Sequence, residues 1–67
     1  MASKGIGTML ATLREKKGLT QVTLAKKARI TQPYLAQIES GDRKNPSLFI
    51  LLRLAKALGV PLIKLLS

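Results

Sequence analysis

Apolar residues recur at the spacing of one helical face through Ile6, Met9, Leu10 and Leu13, and the run closes on Lys16, Lys17 and Gly18. This predicts a first helix with a defined stop. Its lysines suit the negative end of the helix dipole, and Gly18 can take a left-handed cap conformation. Thr20 reads as the cap of a short second helix over about 21–28, with Leu19 and Leu24 as an apolar staple. The same grammar repeats at once: Ile30, a Thr31 cap and Leu35 open a third helix over about 32–40. Pro33 suits its first turn, where N–H groups have no intrahelical acceptor. Gly41 ends that helix and residues 42–46 form a polar loop; Ser47 caps a fourth helix reaching Leu58, which Gly59 stops. After Val60 and Pro61 a short fifth helix over about 62–66 is expected. No alternating strand pattern interrupts this series. The expectation is an all-α, compact five-helix bundle, a single domain over residues 6–67 behind a flexible tail of residues 1–5.

Only Arg29, Ile30 and Thr31 separate the second and third helices, and so tight a connection makes their axes cross steeply, as in a helix-turn-helix. Ala25 supplies a small residue at the crossing, and Leu24, Ala28, Ile30, Leu35 and Ile38 fill the angle. Left outward on the third helix are Gln32, Pro33, Tyr34, Ala36 and Gln37, few of which packing requires. A glutamine amide donates and accepts at once, matching the N6 and N7 edge of adenine in the major groove. The first turns of a recognition helix are the part that reaches base edges. On an arbitrary helix two such glutamines would be ordinary solvated residues; the surrounding motif is what gives them a role.

Charge strengthens that reading. Twelve Lys and Arg stand against three acids in 67 residues, a formal charge of +9, which favours a polyanionic partner: nucleic acid or anionic lipid. Solubility alone is served by fewer charges of mixed sign. The chain has no Cys and no His, so disulfides and thiolate or imidazole metal sites are ruled out and no cofactor is expected. With Glu15, Glu39 and Asp42 as its only acids, no acid–base pair for an enzyme can be assembled. The competing class is a membrane-active protein, because residues 47–66 are apolar with Arg53, Lys56 and Lys64 interspersed. Those cations and the break at 59–61 interrupt any span, so no membrane partner is expected. The apolar run after Lys4 is broken by Gly5, Gly7, Thr8 and Thr12, unlike a signal peptide, and a cytoplasmic location is expected.

From Leu10 to Leu66 the segments LREKKGLTQ, LAKKA, TQPYLAQIESG, NPSL and LAKALGV resemble the Cro/CI repressor family, also called the xenobiotic-response-element family. The blocks occur in order and at family spacing, which makes the resemblance far more specific than an isolated helix-turn-helix. It implies a transcription regulator, expected to be a repressor, that binds a palindromic operator in double-stranded DNA as a homodimer. By position it implies that Gln32, Pro33 and Gln37 contact base edges. Thr20 and Gln21 fall where the second helix meets the phosphate backbone, and Ser40, Arg43, Lys44, Asn45 and Ser47 where the following loop grips it. Tyr34 either reaches a phosphate through its hydroxyl or covers the helix junction with its ring. Arg14 and Glu39 match a structural ion pair between the first and third helices. Free-standing repressors, restriction-modification controllers and antitoxins share this domain, so a toxin or other protein partner stays open beside the homodimer.

The chain departs from the family in several places. Arg29 stands at a turn position that is usually Gly, where a left-handed backbone costs on the order of 1 kcal/mol and a shift in helix angle would move the base contacts. Pro33 removes a hydrogen-bonding side chain and leaves apolar contact, as with a thymine methyl. Phe49, Ile50 and Ile63 replace residues that are usually polar. With Leu48, Leu51, Leu52, Ala55 and Leu58 read as the core stripe of the fourth helix, Phe49, Ile50 and Leu54 make it apolar almost all round. Either they pack under the last helix, or with Ile63 and Leu66 they form a dimer surface, the reading favoured here.

Overall fold

The computed structural model describes residues 5–66, so the expected tail falls, apart from Gly5, outside the described residues. Five helices follow in order: α1 (Ile6–Lys16), α2 (Gln21–Ala28), α3 (Gln32–Ser40), α4 (Leu48–Leu58) and α5 (Leu62–Leu66). Their starts are set by short hydroxyl side chains. Thr20 Oγ1 accepts the N–H of Thr23 at 3.1 Å, Thr31 Oγ1 that of Tyr34 at 3.2 Å, and Ser47 Oγ that of Ile50 at 3.2 Å. Each such cap contributes about 1 kcal/mol. Among the described residues no helix is long and apolar enough to cross a membrane.

α1 packs on α3, α2 packs on α3 and α4, and α5 closes the bundle against α4 and α1. Leu10, Leu24, Leu35, Ile38, Leu54 and Leu65 are fully buried where these elements meet, each worth about 1.5–3 kcal/mol of burial. Ala25 and Ala28 are buried in the α2 interface, their small size letting the helices cross closely. Leu19 and Ile30 pack against the core just before α2 and α3, beside buried Leu24 and Leu35.

The structure corrects the face of α4. Leu54 is 0% exposed, so it belongs to the core and is not part of a dimer surface. The true inward stripe is Leu51, Leu54, Ala55 and Leu58, the i, i+3, i+4, i+7 spacing of one helical face. Leu48 and Leu52, read from sequence as core, are 58% and 44% exposed because they lie off that stripe. Ile50 is also corrected: it is half-buried, packs against the core and lines a cleft with Tyr34 and Arg43, rather than lying on an open face.

Two backbone features hold the helix-turn-helix in place. Gly7 sits where α1 crosses the end of α3, and a Cβ added there would collide with the Ile38 carbonyl and lie 2.8 Å from that of Glu39. At the α2–α3 turn Arg29 adopts a left-handed conformation, φ 61° and ψ 42°. Arg53 of α4 clamps this turn, donating from Nε to the Ala28 carbonyl at 2.9 Å and from Nη2 to that of Arg29 at 2.5 Å. A cation there satisfies carbonyls that α2 leaves open at its C-terminus.

Candidate nucleic-acid interface

A chain of hydrogen bonds runs from the packed side of the helix-turn-helix to its outer edge. Arg14 of α1 grips Glu39 of α3 with two prongs, Nε to Oε2 at 2.7 Å and Nη2 to Oε1 at 3.1 Å, and its Nη1 donates to the Leu19 carbonyl at 2.8 Å. The side chains are 13% and 6% exposed, so this pair is screened little by water. The hydrogen bond to Glu39 raises the Arg14 pKa above its ordinary value. Glu39 Oε1 also accepts from Gln21 Nε2 at 2.9 Å, and Gln21 Oε1 accepts from Gln32 Nε2 at 2.8 Å.

This chain has a direction, fixed by chemistry. An ionised carboxylate only accepts, so Gln21 must turn its nitrogen to Glu39 and its oxygen to Gln32. Gln32 must then give one N–H to Gln21, leaving its oxygen and its second N–H at the outer edge. That is one acceptor and one donor on a tethered amide at the first residue of α3, the pair that the N6 and N7 edge of adenine requires.

Gln37, exposed and five residues further along α3, is oriented in the opposite sense. Arg43 Nε donates to its Oε1 at 3.2 Å, so the oxygen faces the arginine and both N–H groups face away. Two outward donors suit paired acceptors such as guanine O6 and N7. The Arg43 guanidinium lies 4.8 Å from the centroid of the Tyr34 ring, a cation–π contact. Tyr34 is half-buried and packs against the core, so its ring covers the helix junction and carries the arginine on its outer side.

The remaining candidates frame this edge. Pro33 is exposed beside Gln32. Thr20 and Ser47 are exposed and cap α2 and α4 with their hydroxyls. Ser40 Oγ donates to the Gln37 carbonyl at 3.1 Å and accepts the N–H of Asp42 at 3.3 Å, folding the loop back on α3. Lys44 and Asn45 are exposed in that loop. Phe49, Ile63 and Leu66 are 76%, 65% and 52% exposed on α4 and α5. Sequence reasoning missed the bridging part of Gln21, the Arg53 clamp and the link from Arg43 to Gln37. The Arg53 clamp joins residues 24 and 25 positions apart, whereas the link from Arg43 to Gln37 spans six residues and depends on how the loop folds back on α3.

Residues 10–65 match the helix-turn-helix family. The immunity repressor protein of Bacillus phage phi105 is 47% identical over 55 residues, which are 82% of this chain and 38% of that protein; the chain thus spans well under half of it. The restriction-modification controller protein C.AhdI from Aeromonas hydrophila superposes with a TM-score of 0.86 at 40% identity, covering 90% of this chain and 89% of that one. SinR, a master regulator for biofilm formation solved in complex with DNA, superposes with a TM-score of 0.89 at 34% identity, covering 92% of this chain and 98% of that one.

Proposed function

The chain belongs to the Cro/CI-type helix-turn-helix family of transcriptional regulators, and from that premise we propose that it is a repressor that binds palindromic operator DNA as a homodimer. The observation that carries this reading is the outer edge of α3. There Gln32 and Gln37 are tethered at fixed polarity with Pro33 between them, flanked by the cations of the 42–47 loop on a chain of net charge +9. Tethering matters because a side chain already held in its reading geometry loses little conformational freedom on binding. SinR, of the same fold and 34% identical, has been solved on DNA, which supports DNA as the partner.

In this reading Gln32, Pro33 and Gln37 touch bases, while Thr20, Gln21, Ser40, Lys44, Asn45 and Ser47 hold phosphates, which positions the protein without reading sequence. The first turn of α2 adds backbone N–H groups and the positive end of a dipole to the phosphate grip. Arg43 takes part in both. The dimer forms through the exposed apolar residues of α4 and α5, with Phe49, Leu48 and Leu52 at its centre, since apolar surface on so small a domain marks a contact. Two copies related by a two-fold axis place their α3 helices in successive major grooves about 34 Å apart. No enzymatic activity forms part of the proposal.

Selection of bound duplexes from a random pool tests this directly. An enriched palindrome is expected, and Phe49→Glu should shift the protein to monomer in sedimentation and weaken binding to the full site far more than to a half-site. Binding with no enrichment, abolished at moderate salt, would reduce the interface to a basic surface. A partner that co-purifies with the apolar face, and is displaced by no second copy, would point to a toxin-type partner instead.

A further inference from the structure

We propose that Arg29 is a phosphate contact, and that the cationic cleft between α2 and α4 takes the DNA backbone flanking the groove that α3 enters. The proposal rests on the operator-binding reading above and extends it to a face of the domain that reading leaves out.

Arg29 is the one non-glycine residue with positive φ among the described residues. A side chain in this conformation is strained where glycine is not, and an outlier of this kind is grounds for seeking a function. Its side chain contributes nothing to the core, since the residue is exposed, and the Arg53 clamp on the turn engages only its carbonyl. Arg29 lines two clefts that meet at it and at Arg53. One, of about 490 Å³, also holds Thr31, Pro33 and Gln37, so it opens on the reading edge of α3. The other, of about 620 Å³, is lined by Lys27, Ala28, Arg29, Arg53, Lys56 and Ala57. No carboxylate lines either cleft. A groove that starts at the base readers and continues between four cations fits a phosphodiester strand leaving the major groove. A guanidinium presents a planar fork of donors that matches phosphate oxygens.

Three substitutions separate charge from backbone. Arg29→Gly removes the strain and the cation together, Arg29→Ala removes only the cation, and Arg29→Lys keeps a cation. The Gly variant should melt about 4–8 °C higher than wild type, as expected for a turn relieved of strain in a domain of this size. Its binding should be weaker on operator and random duplex alike, with the salt dependence of log K reduced by about one per bound protomer. The Ala variant should lose the same slope without the gain in melting temperature, and the Lys variant should keep most of the slope. A Gly variant that binds with wild-type affinity and slope overturns the proposal and leaves operator binding standing. Wild-type protein that binds no duplex overturns both.

Discussion

Arg43 holds Gln37 at two points: its backbone N–H donates to the Gln37 carbonyl at 3.1 Å and its Nε to the side-chain oxygen at 3.2 Å. The loop after α3 is therefore fastened to a residue of the candidate reading edge, and the Tyr34 ring supports the arginine from below. A residue so placed acts on recognition through its neighbour as well as through its own charge.

Arg43→Lys separates these contributions. Lysine keeps the charge but lacks the planar Nε–guanidinium group that reaches Gln37 and stacks on Tyr34. Overall affinity at low salt should fall little, while the base preference at the position read by Gln37 relaxes by roughly 1–3 kcal/mol, the worth of a good bidentate contact. Arg43→Ala should add a uniform loss and a salt slope lower by about one per bound protomer. Duplex selection with each variant reads both effects; an unchanged base preference in both would leave Arg43 a phosphate contact only.

Gly7→Ala tests how the helix-turn-helix is seated. The new methyl group meets backbone carbonyls of Ile38 and Glu39, which cannot rotate away as a side chain would, so α1 must lift off α3. Overpacking of this kind costs about 1–3 kcal/mol. That opposes the gain of up to about 1 kcal/mol that Gly→Ala normally brings inside a helix. Denaturant titration should show net destabilisation, and a stabilised variant would mean that the close approach of α1 to α3 is not present in solution.

How much of this was legible in the sequence follows from the range of the interactions. Helix limits were readable because caps and stops are local: Thr20, Thr31, Ser47, Gly41 and Gly59 each act within a few residues. The ion pair of Arg14 and Glu39 was accessible only through the family resemblance, since 25 residues separate them. The face of α4 was misjudged because a helix rich in Leu, Ile and Phe gives periodicity little contrast. Leu52 and Leu54 look alike in sequence, and only the positions of α2 and α5 decide which is buried. The polarity of Gln32 and Gln37 was beyond reach for a different reason, because it depends on which atom of a partner faces each amide.

Arg14→Met tests the anchor of the chain of bonds. It leaves the Glu39 carboxylate largely buried with Gln21 as its remaining partner, and removal of one member of such a pair costs about 3–5 kcal/mol. The pair should not act as a pH switch through its arginine. A basic group whose pKa is raised on folding gives its full stabilisation below its unfolded pKa and loses it only as pH rises through the folded one. For Arg14 that window lies in strong alkali, so wild type and Arg14→Met should differ by a constant unfolding free energy, within about 0.5 kcal/mol, in denaturant titrations from pH 6 to pH 9. A difference that collapsed inside this range would show that another group controls the pair.

Glu39→Gln reaches the reading edge from the packed side. The amide has both a donor and an acceptor, so it can still accept from Arg14 while its nitrogen faces Gln21. Gln21 is then free to reverse, presenting its oxygen to residue 39 and its nitrogen to Gln32, and Gln32 reverses in turn. The direction that the carboxylate imposes along the chain is lost, although no atom near the outer edge has been changed. Stability should fall by less than in Arg14→Met, because Arg14 keeps the Leu19 carbonyl and one amide oxygen as acceptors and only its second prong loses one. Base preference at the position read by Gln32 should nevertheless relax, while the position read by Gln37, whose amide is set by Arg43, stays as it was. Duplex selection with the variant distinguishes these positions in one experiment. Equal relaxation at both, or at neither, would mean that the carboxylate does not set the polarity of Gln32.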